Sequence, residues 1–323
     1  MKKNMIISVI TALTMLLVPS LTFLCLTGNA REVPSEDDSS IKELSFETIS
    51  VFSTDENKTM TLDFRDYIIG VVAAEMPAQF HSEALSAGAV AAATLARKKI
   101  ISGEQEALQG AVISTDPKKH QAYMTKEEMK ERWGKDFDKY YKKIADAVDN
   151  SIDYSITSEG ELINAVYHAI SPGKTENAQN IWEGEYPYLV SVESTGDRLS
   201  PKYLSEESFT ITEFCNILKD SGAKNISEDI TFEDAVYSDA GTLLSIKINK
   251  NVFTGEALRE LFSLRSAAIT PKAEKDKVIF TVKGYGHGVG LSQYGADYLA
   301  RQGYSWQEII KHYYTGVEIT LFR

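Results

Sequence analysis

Cysteine is almost missing from this sequence. Cys25 and Cys215 are the two it has, and the first lies in an N-terminal apolar run. The rest of the chain therefore cannot form an internal disulfide, and it lacks the four-ligand Cys/His spacing of a structural zinc site. A basic excess is missing too. The formal net charge of -12 argues against a protein that neutralises many phosphates, so no nucleic-acid partner is expected. It argues equally against adhesion to an anionic lipid or polymer through a cationic surface. No tandem repeat occurs, and no long Pro/Gly linker divides the body. What remains is globular material, 43% hydrophobic and 25% charged over 323 residues, ample for a buried core in one large domain or two.

The N-terminus reads 1-MKKNMIISVITALTMLLVPSLTFLCLTGNAREV-33. Two lysines precede an uncharged, mostly apolar run that is longer than a secretory h-region and long enough to span a bilayer. We expect an uncleaved membrane anchor over residues 1–30, with Lys2 and Lys3 cytoplasmic and the body outside the cytoplasm. Gly28-Asn29-Ala30 offers cleavage as the alternative. The sequence 22-TFLC-25 lacks the small residue that precedes an acylated cysteine. Residues 31–43 are polar and acidic and read as a tether. Residues 44–323 read as a single mixed α+β domain, with room for two lobes and a cleft.

Within that body Phe64, Tyr67, Ile68, Val71 and Val72 recur at three- and four-residue spacing. They predict a helix capped by Asp63 or Asp66 and ended before Pro77. A second helix is predicted from about Ser82, as N-cap, to Ile100. Its small face of Ala84, Ala87, Gly88, Ala91 and Leu95 suits close packing on the first helix. Thr125 with Glu128 and Ser305 with Glu308 form capping boxes that open two more helices, and others are predicted near 136–151 and 212–222. Residues 153–157 and 161–170 flank Ser158-Glu159-Gly160 as a hairpin. Strands are predicted at 44–52, 243–249 and 277–286.

The position after Val72 on the apolar face of the first helix is Glu75. Burial there would disfavour the charged carboxylate, and the negative end of the helix dipole pushes the same way. The result is a carboxylic acid suited to general acid catalysis. Periodicity alone leaves a second reading open, a frayed helix end with Glu75 in water.

The stretch 284-GYGHGVGLSQYGADYLA-300 alternates glycine at Gly284, Gly286, Gly288 and Gly290. In an extended chain these share one bare face that a glycan, another strand or an aromatic ring could approach. His287, Ser292 and Gln293 are its candidate contacts. In 166-VYHAISPGKTE-176, His168 and Ser171 end a strand and could touch a ligand. No Gly-x-Ser-x-Gly elbow surrounds Ser171, so it is not read as a nucleophile. His120 and Asp116 are too few for zinc and read as a solvated loop. His81 and His312 need only capping or surface roles.

Taken in order, 70-GVVAAEMPAQF-80, 83-EALSAGAVAAAT-94, 167-YHAISPGKTE-176 and 284-GYGHGVGLSQYGA-296 resemble the stage II sporulation protein D family, whose relatives include the amidase-enhancer proteins of bacterial cell walls. The resemblance implies a lytic transglycosylase that cleaves the β-1,4 bond between N-acetylmuramic acid and N-acetylglucosamine, leaving a 1,6-anhydro end. Its substrate would be glycan strands already stripped of peptides, and its setting the space between mother-cell and forespore membranes during engulfment. Glu75 matches the family's catalytic acid. A glycosidase that uses water needs a second carboxylate, whereas here the sugar's own 6-hydroxyl would attack, and one carboxyl could serve as acid and then base. His168, Ser171, His287, Ser292, Gln293 and Tyr294 are the expected substrate contacts.

The resemblance also implies partners: peptidoglycan strands, a cell-wall amidase and a membrane protein of the engulfment machinery (stage II sporulation proteins P and M). No cofactor is implied. Some members bind zinc, but Ser114 and Lys119 stand where ligands would be, and no metal is expected. Ala93 and Leu95 replace an Arg and a Tyr of the family's second helix, so Arg97 one turn later would have to supply any brace. Ala169 and Pro172 also depart from the pattern. These departures keep an alternative open, a non-catalytic glycan-binding protein that stimulates an amidase.

Overall fold

The structure, a computed structural model, describes residues 47–103, 109–116 and 119–322. The expected anchor, the acidic tether and Cys25 lie outside them. Among the described residues no helix is long and apolar enough to cross a membrane. The architecture is mixed α+β with several small sheets.

The chain enters on β1 (Thr48–Ser53) and β2 (Lys58–Asp63), an antiparallel pair, and β3 (Ile113–Ser114) later joins β1 in parallel. Helices α1 (Phe64–Glu75) and α2 (Ser82–Ser102) follow, then α3 (Lys126–Trp133) and α4 (Phe137–Asp149). The hairpin β4 (Tyr154–Ser158) and β5 (Glu161–Leu162) leads to the short β6 (Tyr167–His168). After it come β7 (Leu204–Thr210), α5 (Ile211–Asp220), β8 (Phe232–Tyr237), β9 (Leu243–Ile248) and β10 (Asn251–Phe253). Next are α6 (Gly255–Leu261), β11 (Ile269–Ala273) and β12 (Lys277–Lys283). The chain ends with β13 (Leu291–Ser292), α7 (Gln293–Arg301), α8 (Trp306–Tyr313) and β14 (Glu318–Leu321), which pairs with β4.

Local chemistry sets many of these boundaries. Asp63 caps α1, accepting the Asp66 amide at 3.1 Å. The Thr125 and Ser305 capping boxes both form, and a third, Thr210 with Glu213, opens α5. Glu159 and Gly160 both take positive φ in the hairpin turn, as a tight two-residue connection requires. One boundary differs from the sequence reading: His81, not Ser82, caps α2, its Nδ1 accepting the Glu83 amide at 3.3 Å. An imidazole can supply the same lone pair one residue earlier, so the helix gains a turn position.

The small face of α2 packs on α1 closely enough that a Cβ at Gly88 would come within 2.2 Å of the Met76 sulfur. This pair forms the centre of one hydrophobic core, with Tyr67, Ile68, Leu85, Ile144 and Tyr313 among its buried side chains. A second core lies in the segment that runs from β7 to β12. There Phe214, Phe262 and Phe280 meet one another with ring centroids 5.0–5.9 Å apart. Strands β6 and β13 pair in parallel, Tyr167 with Leu291 and His168 with Ser292. The chain thus leaves the first core at β6, builds the second, and returns at β13 beside the point of departure.

Candidate active site

The buried face of α1 carries Phe64, Tyr67, Ile68, Val71 and Val72 inward. Helical geometry then delivers Glu75 to the edge of the core, half-buried, on a cleft of about 1190 Å³. The helix end is not frayed: Met76 donates its amide to Val72 and takes an extended conformation. Glu75 Oε1 accepts the Ala122 amide at 3.0 Å, and Oε2 accepts a long bond from Gln293 Nε2 at 3.4 Å. The Ala122 amide is placed by its neighbour. Gln121 is buried, accepts the Tyr67 hydroxyl at 3.2 Å, and donates to the Tyr167 hydroxyl at 3.0 Å and to the Ala92 carbonyl at 3.3 Å.

Burial raises the Glu75 pKa, and the bonds from Ala122 and Gln293 only partly offset it. A raised carboxyl pKa means the folded state holds a proton that the unfolded chain has released. Stability therefore falls as pH climbs from the ordinary glutamate range through the folded-state pKa. Replacing Glu75 with Gln should remove that slope, since the amide oxygen can still accept from Ala122. We expect Glu75→Gln to melt higher than the parent at neutral pH, with the two curves meeting in acid, as thermal melts across pH would show.

Two histidines on the same cleft stand as neutral rings. His168 is buried and its Nδ1 bonds the Val289 carbonyl at 3.1 Å, while burial drives its pKa down to about 3. His287 accepts the Val289 amide on Nδ1 at 3.1 Å and so donates from Nε2 to the Tyr167 carbonyl, also at 3.1 Å. Burial and the Arg259 charge lower its pKa to about 4. Trp182 packs over His287 at 5.0 Å between centroids, and with Trp133, Tyr285 and Tyr294 it gives the cleft aromatic walls. Both histidines, Gln293 and Tyr294 line the same cleft as Glu75.

Ser171 and Ser292 do not. Both are fully buried and spent on Asp197, which is itself 0% exposed. Asp197 accepts the Ser171 amide and hydroxyl at 2.9 and 2.5 Å and the Ser292 hydroxyl at 2.6 Å. Burial raises its pKa, and the hydroxyls of Ser171, Ser292 and Ser194 with the Ser171 amide hold it back down. Ser292 Oγ also caps α7 by accepting the Gly295 amide. The two serines thus anchor the loops behind Gln293, and they are not positioned to touch a substrate.

The alternating glycines do not form the expected extended face. Gly284, Gly286, Gly288 and Gly290 all lie at positive φ, between 74° and 108°, so the stretch is not an extended strand with one bare face. The close neighbour at three of them is the chain itself: a Cβ at Gly284 would lie 2.6 Å from the Ile170 carbonyl, and at Gly290 2.2 Å from that of Val166. Gly290→Ala should cost about 2–4 kcal/mol, read as a denaturation midpoint, because the clash is with backbone and the φ disfavours any L side chain.

Arg97 does not brace the site. It is buried and donates to the carbonyls of Tyr154 and Ile152 and to Ser155, with its guanidinium over Phe64 and Phe322. Leu95 lines the cleft and Ala93 is wholly buried. His120 is not in a solvated loop; it is half-buried on the cleft, with Nδ1 at 2.8 Å from Ser114 Oγ. Among the described residues no three His, Cys, Asp or Glu side chains gather as a metal site. Sequence reasoning missed Asp197, Gln121 and the Ala122 amide. None of them sits in a motif, and Asp197 acquires its role only from residues brought from 26 and 95 positions away.

Compared with known proteins, residues 53–157 match the family model described as Stage II sporulation protein. The chain is 36% identical over 273 residues to Stage II sporulation protein D of Bacillus amyloliquefaciens, covering 84% of this chain and 78% of that one. It is 37% identical over 276 residues to the protein of the same name from Bacillus subtilis strain 168, covering 84% and 79%. A more distant similarity, 25% over 304 residues, is to an amidase enhancer of Bacillus subtilis and covers 78% of this chain and 40% of that protein.

Proposed function

The chain belongs to the stage II sporulation protein D family, and from that premise we propose that it is a peptidoglycan lytic transglycosylase with Glu75 as its catalytic residue. One observation carries the reading: Glu75 is the single Asp or Glu lining the cleft among the described residues. A glycosidase that uses water needs a pair of carboxylates flanking the bond. An intramolecular attack by the muramic acid 6-hydroxyl needs one. Protonated Glu75 gives its proton to the leaving glycosidic oxygen. The 6-hydroxyl then attacks the anomeric carbon, and Glu75, now a carboxylate, takes the hydroxyl proton. The bond broken is the β-1,4 linkage, the bond formed closes the 1,6-anhydro ring, and the acid is regenerated without water.

The raised pKa supports the first step by keeping the proton on Glu75. The Ala122 amide helps Glu75 release that proton, because it stabilises the carboxylate left behind. Aromatic walls suit the flat apolar faces of pyranose rings. The substrate proposed is peptide-free glycan, worked on outside the cytoplasm at the engulfing membrane. An anchor at the N-terminus, an amidase and a membrane partner belong to the same proposal. Mass spectrometry of products from defined peptide-free strands tests it: anhydro-muramic ends are expected, and reducing ends would point instead to a hydrolase.

The second reading, a glycan-binding stimulator of an amidase, is favoured by Ala93 and Leu95, which leave no side chain from α2 bonded to Glu75 in this structure. Amidase stimulation that survives Glu75→Gln, with no cleavage products from either chain, would establish it.

A further inference from the structure

A chain with a formal net charge of -12 gathers cations in one place. Lys99, Lys119, Arg132, Lys202 and Arg259 all line the cleft, against Glu75 as its single carboxylate among the described residues. That carboxyl is itself biased toward the neutral form by burial. A cleft with low-dielectric walls focuses the field of its lining charges, so an anion repelled by the rest of the surface is drawn to this groove.

Two of the five cations come from the segment between β6 and β13. Arg259 comes from α6, in the segment of the second core, and Lys202 from the stretch just before β7. Arg259 is half-buried, and Glu256 Oε2 holds its Nη1 at 3.2 Å, which fixes the guanidinium without occupying the whole fork. Its charge reaches both His168 and His287, so it lies at the wall those rings form. Lys202 is exposed on the same cleft. A planar fork held by Glu256 and an exposed ammonium on the same cleft are donors whose charge favours a carboxylate over a neutral amide.

We propose that Lys202 and Arg259 form a carboxylate subsite, and, resting on the peptidoglycan reading above, that it takes the lactyl carboxylate which muramic acid exposes when its peptide is removed. With the peptide in place the same position is a neutral amide carrying a bulky chain. The subsite would then be a specificity device, distinct from the acid that breaks the bond.

The test uses the full chain carrying Glu75→Gln, so that glycan is bound and not consumed. Its affinity is measured for peptide-free strands, for the same strands with carboxyls reduced to alcohols, and for strands that keep their peptides. Peptide-free strands should bind about tenfold tighter than the reduced ones, as expected for a charge-assisted contact. Added salt should erode that preference. Arg259→Gln and, separately, Lys202→Gln should shrink it toward unity, while Arg259→Lys should keep part of it. Lys202 is exposed, so its variant tests the subsite without a folding question. Equal binding of native and reduced strands, or an unchanged preference in both Gln variants, would overturn the subsite. Tight, carboxyl-dependent binding of peptide-bearing strands would overturn the lactyl assignment and move the carboxylate to the peptide. No arm requires turnover, so absence of cleavage would sink the transglycosylase reading while leaving this comparison intact.

Discussion

Glu75→Gln is expected to lose glycan cleavage by at least ~10²–10⁴-fold, the range that a positioned general acid or base supplies. The loss should fall at the upper end or beyond, because one group serves both proton transfers and an amide performs neither. The substitution is nearly isosteric, and its oxygen can still accept the Ala122 amide that Glu75 accepts at 3.0 Å. Fold and cleft should therefore persist, and the higher melting temperature expected at neutral pH would confirm that the lost activity is not lost structure. The measurement is quantification of anhydro-ended fragments from peptide-free strands under single-turnover and steady-state conditions. Equal product from parent and variant would remove Glu75 from the chemistry.

Asp197→Ala is expected to cost about 3–5 kcal/mol of stability. Asp197 is fully buried and accepts three bonds of 2.5–2.9 Å from Ser171 and Ser292. Removing it strands an amide and two hydroxyls in a place water does not reach, and each unmade bond costs about 1–3 kcal/mol. The loss should spread to activity, since Ser292 starts α7 and the next residue, Gln293, reaches Glu75. Asp197→Asn should be milder, because its carbonyl still accepts and the hydroxyls can turn to accept its amide. Urea denaturation of both variants measures this. A loss below about 1 kcal/mol for the Ala variant would mean that the serines find other partners.

The two substitutions show how differently a residue can be visible. Glu75 stands out because its signal is local: an i, i+3, i+4 apolar series that ends in an acid before Met76 and Pro77. Asp197 has no such signature, and its partners become its partners only when β6 and β13 pair across more than a hundred residues. Ser171 and Ser292 look like substrate contacts in the sequence for the same reason in reverse. Polar residues beside glycines look available in a sequence, but a buried carboxylate from a third segment had claimed them. The glycines misled in a related way. Alternation suggests an extended strand, whereas all four adopt positive φ, a conformation decided by the 166–171 backbone packed against them.

By itself the sequence determined several helices, the Thr125 and Ser305 capping boxes, the hairpin turn at Glu159 and Gly160, and the position of Glu75 next in line on an apolar helix face, while it left the α1 cap open between Asp63 and Asp66. Each depends on hydrogen bonds or contacts within four residues, and spacing alone encodes those. The tertiary structure decided what surrounds Glu75: the Ala122 amide, the neutral histidines, the Asp197 anchor and the cations of the cleft. A net charge of -12 predicts a surface that repels anions. Charge is summed along a chain but felt in space, and folding placed Lys99, Lys119, Arg132, Lys202 and Arg259 around one groove.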